Sequence, residues 1–376
     1  MSASRLLTSK TGIPSLAILD DYLSISASHF NHIPKSSLRI KPFTKPLPWQ
    51  TEEDRALLVK QLKPFTAIST MRERTPFPGS VLRELPNLKL LLCTGTQFQT
   101  FDLATAKELG IAVLAAPGRG RTDVPPPEKT RTRNITKGGG HPATHHTWAM
   151  ILALARNVAE DDTTIKAGGW QTGMAIGLSG KTLGIVGLGR LGAAVARIGI
   201  LAFGMKVVCW SANLNQKKAD NMAESLGLPK EDEFGDRTFR CVDKQELFKT
   251  ADIVSLHYVL SERSYGIVSG PEFSLMKPES LLVNTSRGPL VDEKAALEAA
   301  THGKIRGLAL DVFDVEPLPA NSLWRSNIWG KEARSRVLLT PHMGYVEEGI
   351  MNTWYAETAE NVERWLQGKE LLHRLV

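Results

Sequence analysis

Three glycines offer the first chemistry in the sequence. Gly187, Gly189 and Gly192 stand in G-x-G-x-x-G spacing within KTLGIVGLGRLGAAVARIGILAFGMKVVCW. An apolar run over 182–186 precedes them, a helical pattern over 191–203 follows, and a second apolar run occupies 206–210. Strand, glycine turn, helix and strand at these lengths predict a βαβ unit that binds a dinucleotide. The glycines let the backbone approach a pyrophosphate, and the helix N-terminus offers amide donors and a positive dipole end. The same turn in a plain α/β domain would carry no ligand; the flanking strands and helix favour the nucleotide.

The end of the second strand in such a unit bears on the cofactor. A carboxylate there would hold the adenosine ribose hydroxyls of NAD. Here the positions are Ser211, Ala212 and Asn213, with Lys217 and Lys218 close behind. No acid repels a 2′-phosphate, and no arginine directly follows Ser211 to bind one. The site is expected to accept NAD(P)(H), with NADP(H) favoured over NAD(H). The two lysines serve equally well as a solvated helix face.

Elements must position these residues. Buried strands are expected over 15–20, 66–70, 88–94 and 111–116. Helices are expected over 51–62, where Thr51 and Asp54 have capping-box spacing, and over 102–109, stopped by Gly110. A strong helix is expected over 146–160, a second strand–helix region over 182–342, and an amphipathic helix over 353–369. Strands alternating with helices predict an α/β fold of two Rossmann-like, doubly wound parallel-sheet domains.

The 376 residues suffice for two such domains, and 42% hydrophobic with 23% charged residues excludes a disordered, collagen-like or polytopic membrane chain. The longest apolar candidate, 183–208, is broken by Arg190, Arg197 and Lys206, so no membrane span is expected. Cys93, Cys209 and Cys241 are scattered and lack metal spacing; they read as reduced thiols, with no metal, in a cytoplasmic protein. The start, MSASRLLTSKTG, faintly resembles a mitochondrial presequence but has no convincing amphipathic repeat.

The net charge of +7 is concentrated. A Pro/Gly-rich stretch over 117–144 holds Arg119, Arg121, Lys129, Arg131, Arg133 and Lys137 against Asp123 and Glu128, more than half of the surplus. It has almost no apolar residue and is expected to be a loop or mobile segment. It has no aromatic stacking pattern, so no nucleic-acid partner is expected.

Several motifs follow in order: VGLGRLG (186–192), ADIVSLHYVLSERSYGIV (251–268), MKPESLLVNTSRGPLVDEKAAL (276–297), GLALDVFDVEP (307–317) and LLTPHMG (338–344). Together they resemble the D-isomer-specific 2-hydroxyacid dehydrogenase family, which includes phosphoglycerate dehydrogenase, hydroxypyruvate/glyoxylate reductases and formate dehydrogenase. LDDY (19–22) and CTGTQFQTFDLATAKELGIAV (93–113) resemble its substrate-domain strands and turn. The resemblance implies a substrate domain at 1–143 and 344–376, and an NAD(P)-binding domain at 144–343 inserted in it. It also implies a cleft active site, a small 2-oxoacid or 2-hydroxyacid substrate and a homodimer.

The resemblance also assigns roles. Arg287, in NTSRG, would pair with the oxoacid carboxylate and polarise its carbonyl, which suits a fork-shaped, permanently charged guanidinium. His342, in TPHMG, would be the general acid/base. Glu316, in DVEP, would orient His342 and favour its proton-carrying form. Glu rather than Gln at 316 argues against formate dehydrogenase. Asp311 would lie near the nicotinamide carboxamide, Thr285 and Ser286 along the cofactor, and His257 near its ribose. Arg190 and Leu191 would offer amides to the pyrophosphate. The turn Thr94–Gln97, with Gly95, Thr96 and Gln97, would hold the substrate carboxylate. Arg72 and Arg74 could add a cation for an acidic substrate, or pair with Glu73 and nearby acids.

Two features depart from the family pattern. The loop at 117–144 is long, and His145 stands where many members have an acid. His141, His145 and His146 are close together, but no carboxylate or thiol cluster joins them, so no metal is expected. The expected function is NAD(P)-dependent interconversion of a 2-oxoacid and a D-2-hydroxyacid. The alternative is a nucleotide-sensing, corepressor-like binding protein of the same fold.

Overall fold

The structure, a computed structural model, describes residues 12–124 and 140–376. The presequence-like residues up to 11, and Lys129, Arg131, Arg133 and Lys137 of the basic loop, lie outside the described residues. The chain forms two compact units, one from Met1–Thr130 with Glu347–Val376 and the other from Arg131–Val346.

Among the described residues the first unit has five strands: β1 (Ser15–Ile18), β2 (Arg39–Pro42), β3 (Ala67–Thr70), β4 (Leu90–Thr94) and β5 (Ala112–Ala116). They form one parallel sheet in the order β2-β1-β3-β4-β5. The order reverses between β1 and β3, the place where open parallel sheets bind ligands beyond their carboxyl ends. β3 and β4 are buried along their whole length, as strands covered on both faces must be. β2 is an edge strand of sequence RIKP, largely exposed, and lacks any apolar pattern that would reveal it in the sequence. The helix Glu52–Leu62 opens with the expected capping box, Asp54 N donating to Thr51 Oγ1 at 3.1 Å and Thr51 N to Asp54 Oδ2 at 3.2 Å.

The helix Glu348–Leu366 sends three carboxylates, three residues apart, to the chain leaving β5. Glu357, 2% exposed, accepts from the backbone N–H groups of Gly118 at 2.9 Å, Arg119, and Gly120 at 2.7 Å. Glu360 accepts from the amide and hydroxyl of Thr122. Glu363 takes both ends of the Arg121 guanidinium, at 2.9 and 2.7 Å. The first residues of the basic loop are therefore held by paired charges and directed hydrogen bonds.

Among the described residues the second unit has seven strands: β6 (Thr182–Val186), β7 (Lys206–Trp210), β8 (Arg240–Cys241), β9 (Ile253–Leu256), β10 (Leu281–Asn284), β11 (Gly307–Leu310) and β12 (Arg336–Leu339). All pair in parallel, in the order β12-β11-β10-β9-β6-β7-β8. Strand alternation sorts the core. Leu183, Ile185, Val207, Ile253, Leu281 and Val283 pack with Trp148, Ile151 and Val195 on one face. Val186, Val208, Val254, Leu282 and Leu308 pack with Leu247, Phe248 and Phe273 on the other. The sheet order reverses between β6 and β9.

The helix expected over 146–160 is two helices, Pro142–Ala155 and Val158–Lys166. Asn157 breaks it at φ +58, a left-handed conformation that asparagine tolerates better than most residues. Its side chain is held by the Gly173 carbonyl and the Arg336 guanidinium. No helix among the described residues is long and apolar enough to cross a membrane.

Candidate active site

The glycine turn follows β6, and each glycine answers a different demand. Gly187 sits at φ +99, and a Cβ there would stand 2.6 Å from the His257 carbonyl oxygen. A Cβ at Gly192 would stand 2.1 Å from the Gly187 carbonyl oxygen, so the following helix packs there only without a side chain. At Gly189 a Cβ would meet nothing within 4 Å. Gly189 is also the N-cap of the helix Arg190–Phe203, and no side chain caps that helix. A close turn that leaves the helix start open, with Arg190 and Leu191 as its first residues, fits a pyrophosphate.

Ser211 and Asn213 follow β7. The Ala212 amide donates to the Tyr258 hydroxyl at 3.1 Å, and Tyr258 stacks on Trp210 with ring centroids 5.9 Å apart. Lys218 Nζ donates to the Asn213 carbonyl at 2.7 Å, which keeps one cation beside this turn. His257, after β9, directs its ring to Ser255 Oγ at 2.9 Å. Burial pushes its pKa down to about 4, so the ring is uncharged at neutral pH.

β10 leads into Thr285, Ser286 and Arg287. Asn284 braces this turn, accepting from Ser286 N at 3.1 Å and donating to the Arg287 carbonyl at 2.9 Å. Ser286 Oγ donates to the Tyr258 carbonyl, and Arg287 Nη1 to the Ser286 carbonyl, both at 2.8 Å. Gly288 must follow, since a Cβ there would stand 2.1 Å from the Phe313 carbonyl carbon.

β11 ends in Asp311, fully buried, and β12 leads to His342. Asp311 Oδ1 accepts from Thr340 Oγ1 at 2.6 Å, Met343 N at 2.7 Å and His146 Nε2 at 3.0 Å. Oδ2 accepts from Gly344 N at 3.0 Å. The carboxylate thus holds the turn that carries His342, whose own amide donates to the Asp311 carbonyl at 2.8 Å. His342 sits at φ +55, in left-handed backbone that its surroundings must impose. Its Nδ1 lies 2.5 Å from Glu316 Oε2, while Glu316 Oε1 accepts from Phe313 N at 3.0 Å. A carboxylate only accepts, so Nδ1 carries the proton of this bond and Nε2 is the nitrogen able to exchange one with a substrate.

In the first unit, Arg72, Gly95, Thr96 and Gln97 gather at the carboxyl ends of β3 and β4. Arg72 sits at φ +54 and donates its amide to Thr94 Oγ1 at 3.1 Å. Gly95 sits at φ +77, and a Cβ there would lie 2.9 Å from Gln97 Oε1 and 3.7 Å from Arg72 Cγ. Arg72 Nε is 3.6 Å from Glu73, and the Arg74 guanidinium lies over the Tyr22 ring at 5.4 Å. Beside them Asp20 accepts from Tyr22 Oη at 2.6 Å and from Thr75 Oγ1 at 3.4 Å, and burial pushes its carboxyl above the usual range.

Sequence reasoning gave no role to Asp20, His146, Thr147 or Glu357. For His146, Thr147 and Glu357 the partners lie far along the chain, 165 residues for His146 and Asp311 and 138 for Thr147 and Thr285, so spacing holds no signal; Asp20 has Tyr22 two residues on and Thr75 farther away. The neighbouring histidines diverge: His141 accepts from Ala143 N at the helix start, His145 is exposed and His146 turns to Asp311. Among the described residues no group of three or more His, Cys, Asp or Glu could hold a metal. Cys93 and Cys209 are buried, and burial pushes the Cys93 thiol up to about 12.

Two doubly wound sheets, one with a pyrophosphate-shaped glycine turn and a histidine–carboxylate pair at its carboxyl edge, define a dinucleotide-binding α/β protein. Residues 148–344 match the D-isomer specific 2-hydroxyacid dehydrogenase, NAD binding domain, and the chain belongs to that family. It is 31% identical to the D-3-phosphoglycerate dehydrogenase of Methanocaldococcus jannaschii over 80% of this chain, and spans half of that relative's length. It is 32% identical to a glyoxylate reductase of Aeropyrum pernix, over 77% of this chain and 76% of the relative. The crystal structure of a phosphoglycerate oxidoreductase from Vibrio cholerae o395 superposes with a TM-score of 0.74 at 31% identity, covering 95% of this chain and all of that one.

Proposed function

We propose that the protein reduces a 2-oxoacid to the D-2-hydroxyacid, or runs the reverse reaction, with a nicotinamide cofactor. The observation that carries this reading is the 2.5 Å contact between His342 Nδ1 and Glu316, at the same carboxyl edge of the sheet as the glycine turn and Arg287. Gly187, Gly189, Gly192, Arg190 and Leu191 would hold the pyrophosphate, with Ser211, Asn213, His257, Thr285 and Ser286 along the cofactor. A bound reduced nicotinamide supplies hydride to the substrate's carbonyl carbon. Arg287 pairs with the substrate carboxylate and draws electron density toward the carbonyl oxygen. His342 delivers a proton from Nε2 to that oxygen, and in the oxidative direction removes it. Glu316 fixes the ring through Nδ1 and balances the charge that the ring carries when protonated. Arg72, Gly95, Thr96 and Gln97 add donors for the substrate's anionic end. Asp311, placed beside the nicotinamide by resemblance, acts in this reading on the His342 turn.

NADP(H) is favoured over NAD(H), because no carboxylate stands at Ser211–Asn213 and Lys218 is anchored there. Homodimer formation is supported by the exposed apolar residues Val158, Ile165, Trp170 and Met174 that follow the break at Asn157. Three free cysteines suit a reducing, cytoplasmic setting. A screen of glyoxylate, hydroxypyruvate, pyruvate and phenylpyruvate with NADH and NADPH tests the activity. Cofactor oxidation with at least one oxoacid is expected, and faster with NADPH. Cofactor binding without turnover on any of them would contradict the enzymatic reading and favour a sensing role.

A further inference from the structure

The helix Pro142–Ala155 reaches both turns that carry the proposed catalytic groups. His146 places Nε2 3.0 Å from Asp311 Oδ1 and 3.0 Å from Thr340 Oγ1. The next residue, Thr147, places its hydroxyl 2.7 Å from that of Thr285. The His146 side chain is 17% exposed and Thr147 is 1% exposed, so water competes little for these bonds. Two consecutive residues therefore tie one helix to the His342 turn and to the Arg287 turn.

The direction of each bond follows from its partners. Asp311 only accepts, so His146 Nε2 carries a proton. Thr340 gives its hydroxyl proton to Asp311 at 2.6 Å and so accepts from His146. Thr147 gives its hydroxyl proton to the Ala143 carbonyl at 2.7 Å, so Thr285 donates to Thr147. The Asp311 carboxylate in turn receives Met343 N and Gly344 N, the residues just beyond His342. That grip on both sides of His342 keeps it at φ +55, a conformation that costs energy in an unconstrained chain.

We infer that His146 and Thr147 are positioning residues: His146, through Asp311 and Thr340, sets the placement of His342, and Thr147, through Thr285, sets that of Arg287. The inference rests on the reading of His342 and Arg287 as the proton-transfer and oxoacid-holding groups. Neither residue touches the reacting atoms. They act on the alignment of two groups that must meet one carbonyl, where a small misplacement is expensive in rate.

The test uses the full chain and four variants, His146→Leu, His146→Gln, Thr147→Val and Thr147→Ser, with His342→Asn as reference. For each, kcat and KM on the best oxoacid, the isotope effect with deuterated cofactor, cofactor affinity by tryptophan fluorescence and Tm are measured. The Leu and Val variants are expected to lose about 10-fold in kcat/KM with a larger isotope effect, His146→Leu at unchanged cofactor affinity and KM, and Thr147→Val with a raised KM through Arg287. The Gln and Ser variants keep a donor or acceptor and are expected to recover most of that loss. Wild-type kcat/KM in His146→Leu and Thr147→Val beside an inactive His342→Asn overturns this inference and leaves the proton-transfer reading standing. Full activity of His342→Asn overturns both. A lowered Tm with unchanged kcat/KM, or Gln and Ser variants as impaired as Leu and Val, reduces the two residues to structural ones and also overturns it.

Discussion

His342 Nδ1 lies 2.5 Å from Glu316 Oε2, and this contact decides which ring nitrogen is left for chemistry. Replacing Glu316 by Gln keeps the size of the side chain but removes its charge. It also lets the amide present N–H where His342 needs an acceptor. Glu316→Gln is expected to lower kcat by about 10²-fold with little change in cofactor affinity, measured by steady-state kinetics and fluorescence titration. An unchanged kcat would mean that the contact is only structural.

Arg287 is braced through Asn284 and its own turn. Arg287→Lys keeps the charge and loses the planar fork. On the proposed role, kcat/KM for the oxoacid falls by ~10²-fold or more while the cofactor Kd stays put. A cofactor Kd that rises in step with the loss would place Arg287 on the cofactor instead.

Gly192 lies where a Cβ would stand 2.1 Å from the Gly187 carbonyl oxygen. Gly192→Ala must push the helix away from the turn. Cofactor Kd is expected to rise ~10-fold, or about 1.4 kcal/mol, by fluorescence quenching. Gly189→Ala opens into free space on the protein side, so any loss it causes reports directly on a ligand at that point.

His257 gives a pH dependence with a definite sign. Burial holds it near 4, below its ordinary value of 6.5, so the unfolded chain binds this proton more tightly. The associated stability is complete above pH 6.5 and is lost as pH falls toward 4. The loss is at most about 3 kcal/mol, since each tenfold weakening of proton binding is worth about 1.4 kcal/mol. Chemical denaturation across this range is expected to show stability falling with acid, and less steeply in His257→Asn.

Glu357 offers its buried carboxylate to three successive backbone amides. Glu357→Ala leaves those donors unmet and is expected to cost about 3 kcal/mol. Hydrogen exchange at residues 118–122 should accelerate first. Glu357→Gln, which keeps one acceptor, should lose less.

Local pattern carried much of this architecture in the sequence. Most strands of the second unit are apolar runs, and Gly187, Ser211, His257, Arg287 and His342 stand within three residues of the ends of five of them; the short polar β8, Arg240–Cys241, gave no such signal. The capping box at Thr51 was equally legible. What spacing cannot show is which distant groups meet. Asp311 could be placed at a strand end, but not seen as the anchor of the His342 turn. The break at Asn157 was hidden because the helical pattern continues across it, while the side-chain partners of the left-handed residue, Gly173 and Arg336, lie elsewhere in the chain. β2 was hidden because an exposed edge strand needs no apolar alternation.

In the proposed mechanism His342 moves the proton. Single-turnover oxidation of bound reduced cofactor by the best oxoacid, compared between the native protein and His342→Asn, tests it most directly. The variant is expected to bind cofactor normally and to react ~10³-fold more slowly, the usual worth of a positioned acid. Native-rate turnover in the variant, with cofactor equally bound, would contradict it.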